Sequence, residues 1–162
     1  MSLHIKRSGI IGQGLFTDSR IKKGSLVGVI KGPIIVDRIV ENQRLDDTFD
    51  WIGVGRYSWI NTDKSIFKYI NHACDPNTYI KGKRLVIALK DIAAGEEVTM
   101  DYSLTEAGEY TLPGGCRCKA KNCRKSVGPI YSLNRAEYNK RKHLVGEKFR
   151  RVYEVEQKRN HR

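Results

Sequence analysis

The placement of the cysteines limits this chain more than any other feature. There are four, and three crowd together in "CRCKAKNC", residues 116 to 123, as C-x-C-x4-C. The fourth, Cys74, stands alone in "INHACDPN", residues 70 to 77, with 41 residues between it and Cys116. The N-terminal "MSLHIKRSG" lacks the apolar stretch of a secretion signal. No apolar run approaches the ~20 residues that a membrane-spanning helix needs. The expected location is therefore cytoplasmic or nuclear, not secreted and not membrane-bound, where thiols stay reduced and metal is expected ahead of disulfide. Cys116, Cys118 and Cys123 leave a tetrahedral zinc ion one ligand short. With all-sulfur ligation the fourth ligand is Cys74, and one ion then clips together two distant segments, its binding energy becoming folding energy. Two other readings stand beside this one: a Cys3His site that uses His72, two residues from Cys74, and four unrelated free thiols.

Along the chain, residues 3 to 36 alternate short apolar runs with glycines and charged turns, which predicts short strands and hairpins. "DRIVENQRL" (37 to 45) fits a helix of about two turns. "WIGVG" and "RYSWIN" predict a strand pair, "KSIFKYINHAC" a helical turn that ends before Pro76, and "TYIKGKRLVIAL" a hairpin turning near Gly82. "GEEVTMDYS" (95 to 103) reads as a glycine-initiated turn into a strand, and residues 103 to 130 as loop. After 131 the period changes. Tyr138, Val145, Phe149, Val152 and Tyr153 fall near helical spacing, which predicts one or two amphipathic helices to about 158 with a weak point or break at Gly146. The expected fold is mostly β, built of short strands, with a helical C-terminal extension.

That extension is basic. Residues 135 to 162 carry ten Lys/Arg against four Glu, half of the chain's net charge of +12. Such a surface suits an acidic surface or DNA as a docking partner, or else is simply a solvated helix face.

Four motifs, in order, resemble SET-domain protein lysine methyltransferases with a post-SET zinc motif. "GQGLF" (12 to 16) is similar to the family's N-terminal G-x-G; "YINHACDPN" (69 to 77) to F-I-N-H-S-C-x-P-N; "GEEVTMDY" (95 to 102) to G-E-E-L-T-x-D-Y; and "CRCKAKNCR" (116 to 124) to the post-SET C-x-C-x4-C-R. Singly, G-x-G is an ordinary tight turn and the third motif a turn into a strand; their shared order and spacing over residues 5 to 127 carry the resemblance. It implies a SET fold of several small curled β-sheets with a pseudoknot, over residues 1–110. A post-SET zinc-binding segment follows at 111–128, and a basic helical extension at 129–162. It implies S-adenosylmethionine as methyl donor, one structural zinc ion, and a protein substrate offering a lysine. Carried over by position, Gly12, Gln13 and Gly14 would put bare backbone against the cofactor, and Asn71 and His72 would contact it. Tyr102 would be the catalytic tyrosine at the methyl-transfer centre, also touching the cofactor, and Cys74, Cys116, Cys118 and Cys123 would hold zinc. Phe49 stands where the family often has a cofactor-contacting Tyr, and Lys68 where it often has Arg.

The pattern departs from the family in places. Where members commonly carry E-Y-x-G, this chain reads "VIKG", so Ile30 replaces a channel-lining tyrosine. The glycine–asparagine before the Asn–His segment is Lys64–Ser65. Ile30 leaves room for a catalytically idle SET-like binding scaffold. The charge and the cysteines leave room for a zinc-dependent nucleic-acid-binding module, although the cysteine spacing is not a finger's and aromatic–basic interleaving is missing.

Overall fold

The structure is a computed structural model and describes residues 2–36 and 51–160. The helix expected at 37 to 45, and Phe49, lie outside the described residues. Ten short strands form three small sheets among the described residues. The first sheet has the order β1 (Leu3–Arg7), β2 (Gln13–Thr17), β10 (Glu97–Met100), β7 (Asn71–His72). The second runs β3 (Leu26–Val29), β9 (Leu85–Ala88), β8 (Thr78–Lys81), and the third β4 (Ile34–Val36), β6 (Ser58–Ile60), β5 (Ile52–Gly55). The expected strand pairs are present: β5 with β6, and β8 with β9 around Gly82, whose φ of 66° is the left-handed turn conformation glycine adopts freely.

The expected helical turn at 64 to 74 is shorter in the structure. A 3-10 turn covers Ile66–Tyr69, capped by the Ser65 hydroxyl, and the chain then extends into β7. The reason is tertiary. Asn71 and His72 pair in parallel with Thr99 and Met100, and those backbone bonds outweigh local helical preference. A parallel pair needs a long crossover, and here residues 73 to 96 supply it. The Asn77 side chain then mimics a strand, accepting from the Thr99 N–H at 2.8 Å and donating to the Glu97 carbonyl at 2.8 Å. The 70–77 segment is thereby threaded beside β10.

Two large apolar clusters, and a small third one around Cys74, Cys116 and Val127, hold the fold among the described residues. Leu15, Val27, Ile30, Ile60, Val86, Ile92 and Val98 are fully buried among the sheets. Ile30, in the place of the expected channel tyrosine, is 1% exposed and bonds its N–H to the Arg84 carbonyl at 2.8 Å. The second cluster is built by the C-terminal residues. Helix α1 (Arg135–Arg141), a 3-10 turn at Lys142–Leu144, and helix α2 (Glu147–Asn160) pack Tyr138, Val145, Phe149 and Tyr153 onto Leu104, Ala107 and Ile130. Tyr138 and Tyr153 stack at 3.6 Å between ring centroids and 6° between planes. The helices meet at Val145–Gly146, where the break was expected. Their polar faces carry the charge; of the residues at helical spacing, Tyr138, Val145, Phe149 and Tyr153 are core and Val152 is half-buried against them.

Candidate active site and metal centre

The β1–β2 turn brings Gly12, Gln13 and Gly14 to one side of the first sheet. Gly12 has φ of 51°, and a Cβ there would meet nothing within 4 Å, so this backbone faces open space. Gly14 is hemmed in: a Cβ would lie 2.2 Å from Glu97 Oε1. That carboxylate is fixed, accepting from the Ser8 hydroxyl at 2.8 Å and from Asn71 Nδ2 at 2.7 Å. Asn71 Nδ2 also donates to the Gln13 carbonyl at 3.0 Å and toward that of Ile11 at 3.3 Å. The Asn–His segment and the glycine turn are thus joined through an amide and a carboxylate, both held in place.

His72 is buried, and its two ring nitrogens have distinct partners. Nδ1 accepts from the Tyr102 N–H at 3.2 Å, which leaves the ring proton on Nε2, 3.3 Å from Cys74 Sγ. Burial, then the nearby Arg124 and Arg141 charges, outweigh Asp101 and push His72 down to about 4. The ring is therefore neutral near pH 7, and the 3.6 Å approach of Nδ1 to Asp101 Oδ1 is not an ion pair. The Tyr102 ring meets His72 edge-on at 5.4 Å, and its hydroxyl donates to the Ile70 carbonyl at 2.9 Å. Lys68 lies on the 3-10 turn before this segment, its Nζ 5.0 Å from the Tyr69 ring centroid.

The four cysteines converge. Their sulfurs all lie within 4.8 Å of one another, and Cys74 and Cys116 are 3.7 Å apart. A tetrahedron of sulfurs about 2.3 Å from zinc has edges of about 3.8 Å. Cys74 and Cys116 are buried, and burial pushes both thiols up. Cys118 is half-buried; burial opposes its ionisation, but N–H groups of Cys74 and Ala120 aimed at the sulfur pull it down to about 7. The N–H of Arg124 points at Cys74 Sγ at 3.3 Å. Four crowded sulfurs with inward N–H donors suit a soft divalent cation. His72 is not among the four converging ligands; it stands behind Cys74 as a hydrogen-bonding neighbour.

Sequence reasoning missed the charged cluster beneath. Asp101 has no exposed side chain and receives Arg124 through two bonds, 2.8 Å and 2.6 Å. Arg141, from the end of α1, brings Nε to 3.3 Å from the same carboxylate and donates to the Cys74 carbonyl at 2.9 Å. Position next to Tyr102 was a signal for Asp101, and position next to Cys123 one for Arg124. Arg141 had none, being one of ten basic residues in the last 28.

Residues 12–103 match the family model described as SET domain. The chain is 33% identical over 138 residues to human histone-lysine N-methyltransferase 2B, covering 75% of this chain and 5% of that protein. It is 33% identical over 137 residues to the H3 lysine-4 specific histone-lysine N-methyltransferase of Schizosaccharomyces pombe, covering 75% and 15%. A solved structure of an active polycomb repressive complex 2 in the basal state aligns with a TM-score of 0.53 and 25% identity, over 62% of this chain and 15% of that one. The chain thus spans a small fraction of the length of the relatives it matches. No helix among the described residues is long and apolar enough to cross a membrane. With more than half of the chain inside the family model, and the small sheets and threaded Asn–His segment that the motifs implied, the chain belongs to the SET-domain family.

Proposed function

We propose that this chain is an S-adenosylmethionine-dependent protein lysine N-methyltransferase. One observation carries the reading: Gly12–Gly14, Asn71, His72 and Tyr102, far apart in sequence, converge through direct bonds beside a four-cysteine cluster. Backbone without side chains at Gly12, facing open space next to the Asn71 amide, suits a ligand that needs close backbone approach. Gly12, Gln13, Gly14, Asn71 and His72 would hold the cofactor, and the family resemblance adds Lys68 and Phe49 to the proposed cofactor contacts. When bound, the cofactor supplies an electrophilic methyl group on a sulfonium.

The chain's own work is positioning. A lysine amine attacks only when neutral, and its ordinary pKa is near 10.4; desolvation in a closed channel lowers that value. Tyr102 lends its proton to the Ile70 carbonyl, which fixes the phenol and orients its oxygen as an acceptor for the amine N–H. Holding nucleophile and electrophile in line is worth about 7–11 kcal/mol. Cys74, Cys116, Cys118 and Cys123 would hold one structural zinc ion, which ties the 111–128 segment over the site. The organisation we infer is a SET domain at 1–110, the zinc-binding segment at 111–128 and the helical extension at 129–162.

The substrate is a protein lysine, and similarity to histone-lysine N-methyltransferases makes histones the first candidates. On that reading the chain works in the nucleus, and exposed Lys140, Lys142, Lys148, Arg150 and Lys158 would face acidic or DNA-bound partners. The test is a labelled-methyl transfer assay on histones and lysate proteins, paired with calorimetry of cofactor binding. Transfer should fall by about 10²-fold in Tyr102→Phe with cofactor affinity preserved. Absence of cofactor binding would remove the reading. Binding without transfer to any protein would favour the idle scaffold, the alternative that buried Ile30 raises.

A further inference from the structure

Arg141 lies outside the residues that match the SET family model, in a segment whose sequence reads as a solvent-facing basic helix. Its side chain nevertheless is 11% exposed, and each of its guanidinium nitrogens lies within 3.3 Å of an oxygen. Nε faces Asp101 Oδ2 at 3.3 Å, NH2 donates to the Cys74 carbonyl at 2.9 Å, and NH1 donates to the Glu137 carbonyl at 3.2 Å and to the Glu137 carboxylate. These contacts close a circuit. Asp101 precedes Tyr102; the Tyr102 N–H bonds His72 Nδ1; His72 Nε2 meets Cys74 Sγ; the Cys74 carbonyl returns to Arg141; and Arg141 returns to Asp101.

We propose that Arg141 is a positioning residue for methyl transfer, and that helix α1 is thereby part of the catalytic unit as well as a carrier of charge. The inference rests on the proposed methyltransferase reading. A guanidinium is suited to this place because its rigid fork meets a carboxylate and a carbonyl at once, which an ammonium does not do with the same geometry. It fixes two points: the peptide of the lone cysteine, and the carboxylate one residue before the tyrosine. Arg124 also holds Asp101, so what Arg141 adds is the tie between that carboxylate and the Cys74 peptide.

The test compares Arg141→Met and Arg141→Lys with Arg151→Met, which removes an exposed pair with Glu147 on α2. The measurements, on the zinc-loaded 162-residue chain, are kcat, KM for cofactor and for a histone substrate, bound zinc, and hydrogen exchange of the Tyr102 amide. Arg141→Met should lower kcat by about tenfold or more. The KM values should stay unchanged, and Tyr102 amide exchange should rise by about tenfold. Arg141→Lys should recover part of the loss, and Arg151→Met should match wild type. If Arg141→Met has no cooperative melt, Arg141→Lys alone decides: it should remain folded with lowered kcat and faster Tyr102 exchange. A folded Arg141 variant with wild-type kcat and wild-type exchange overturns the inference, as does a kcat loss that Arg151→Met shares. Inactive wild-type protein overturns the methyltransferase reading instead, and the exchange measurement then still reports whether Arg141 orders Tyr102.

Discussion

Asp101→Asn is the most informative single change for the fold. Asparagine keeps the shape but removes the charge, and it turns an NH2 group toward guanidiniums that can only donate. The native carboxylate has no exposed side-chain surface and receives two bonds from Arg124, at 2.8 Å and 2.6 Å, a contact from Arg141 at 3.3 Å, and the Ser103 N–H at 3.1 Å. Both arginines are themselves mostly covered, 13% and 11% exposed in their side chains. Removing one partner of a buried ionic group costs about 3–5 kcal/mol, because the remaining charge is left unpaired. At roughly 2–4 °C per kcal/mol for a chain of this size, the melting temperature should fall by roughly 6–20 °C. Urea denaturation gives the free energy directly, provided the slope is unchanged. The internal control is Lys90→Met, which breaks the 3.1 Å pair with Asp75 whose side chains are 47% and 66% exposed; it should cost less than about 1 kcal/mol. The double variant Asp101→Asn with Arg141→Met should lose less than the two single losses combined, since both act on one network. A cost below about 1 kcal/mol for Asp101→Asn, or strict additivity of the pair, would mean that water screens this cluster and that the energetic reasoning is wrong.

Other perturbations test separate parts. Cys118→Ser, or treatment with a zinc chelator, should abolish stoichiometric zinc binding. Methyl transfer should drop on the order of tenfold or more while a cooperative melt persists, because neither large apolar cluster contains a cysteine; methylation that survives chelation would refute the tying role proposed for the zinc ion. Gly14→Ala should cost about 1–3 kcal/mol in urea, since the new methyl lands 2.2 Å from Glu97 Oε1, and less in a Glu97→Ala background; equal costs in both would place the strain elsewhere. Tyr138→Ala removes a buried ring stacked on Tyr153 and should cost about 3–5 kcal/mol by denaturation; a negligible loss would mean that the extension does not pack as described.

What the sequence revealed and what it hid divide along physical lines. The hairpin at Gly82 and the helix break at Gly146 were legible because turn chemistry is local. The meeting of Cys74 with Cys116, Cys118 and Cys123 was legible for another reason: a zinc ion demands four ligands, and the chain has four cysteines, so a counting rule stood in for tertiary knowledge. The strand at Asn71–His72 was hidden because its partner lies 28 residues on and no local pattern announces a two-residue parallel pairing. Arg141 was hidden more deeply. A buried arginine differs from an exposed one only by what it touches, and neither composition nor helical period separates it from its basic neighbours. Yet period did mark its surroundings. Tyr138, Val145, Phe149 and Tyr153 define a buried stripe, and Arg141, one turn after Tyr138, falls on the edge of that stripe. A basic residue at the margin of an apolar stripe is carried inward by its neighbours' burial and then requires an anion. The buried Asp101 supplies it, so the charge of the extension and the geometry of the candidate active site are coupled through the packing of α1.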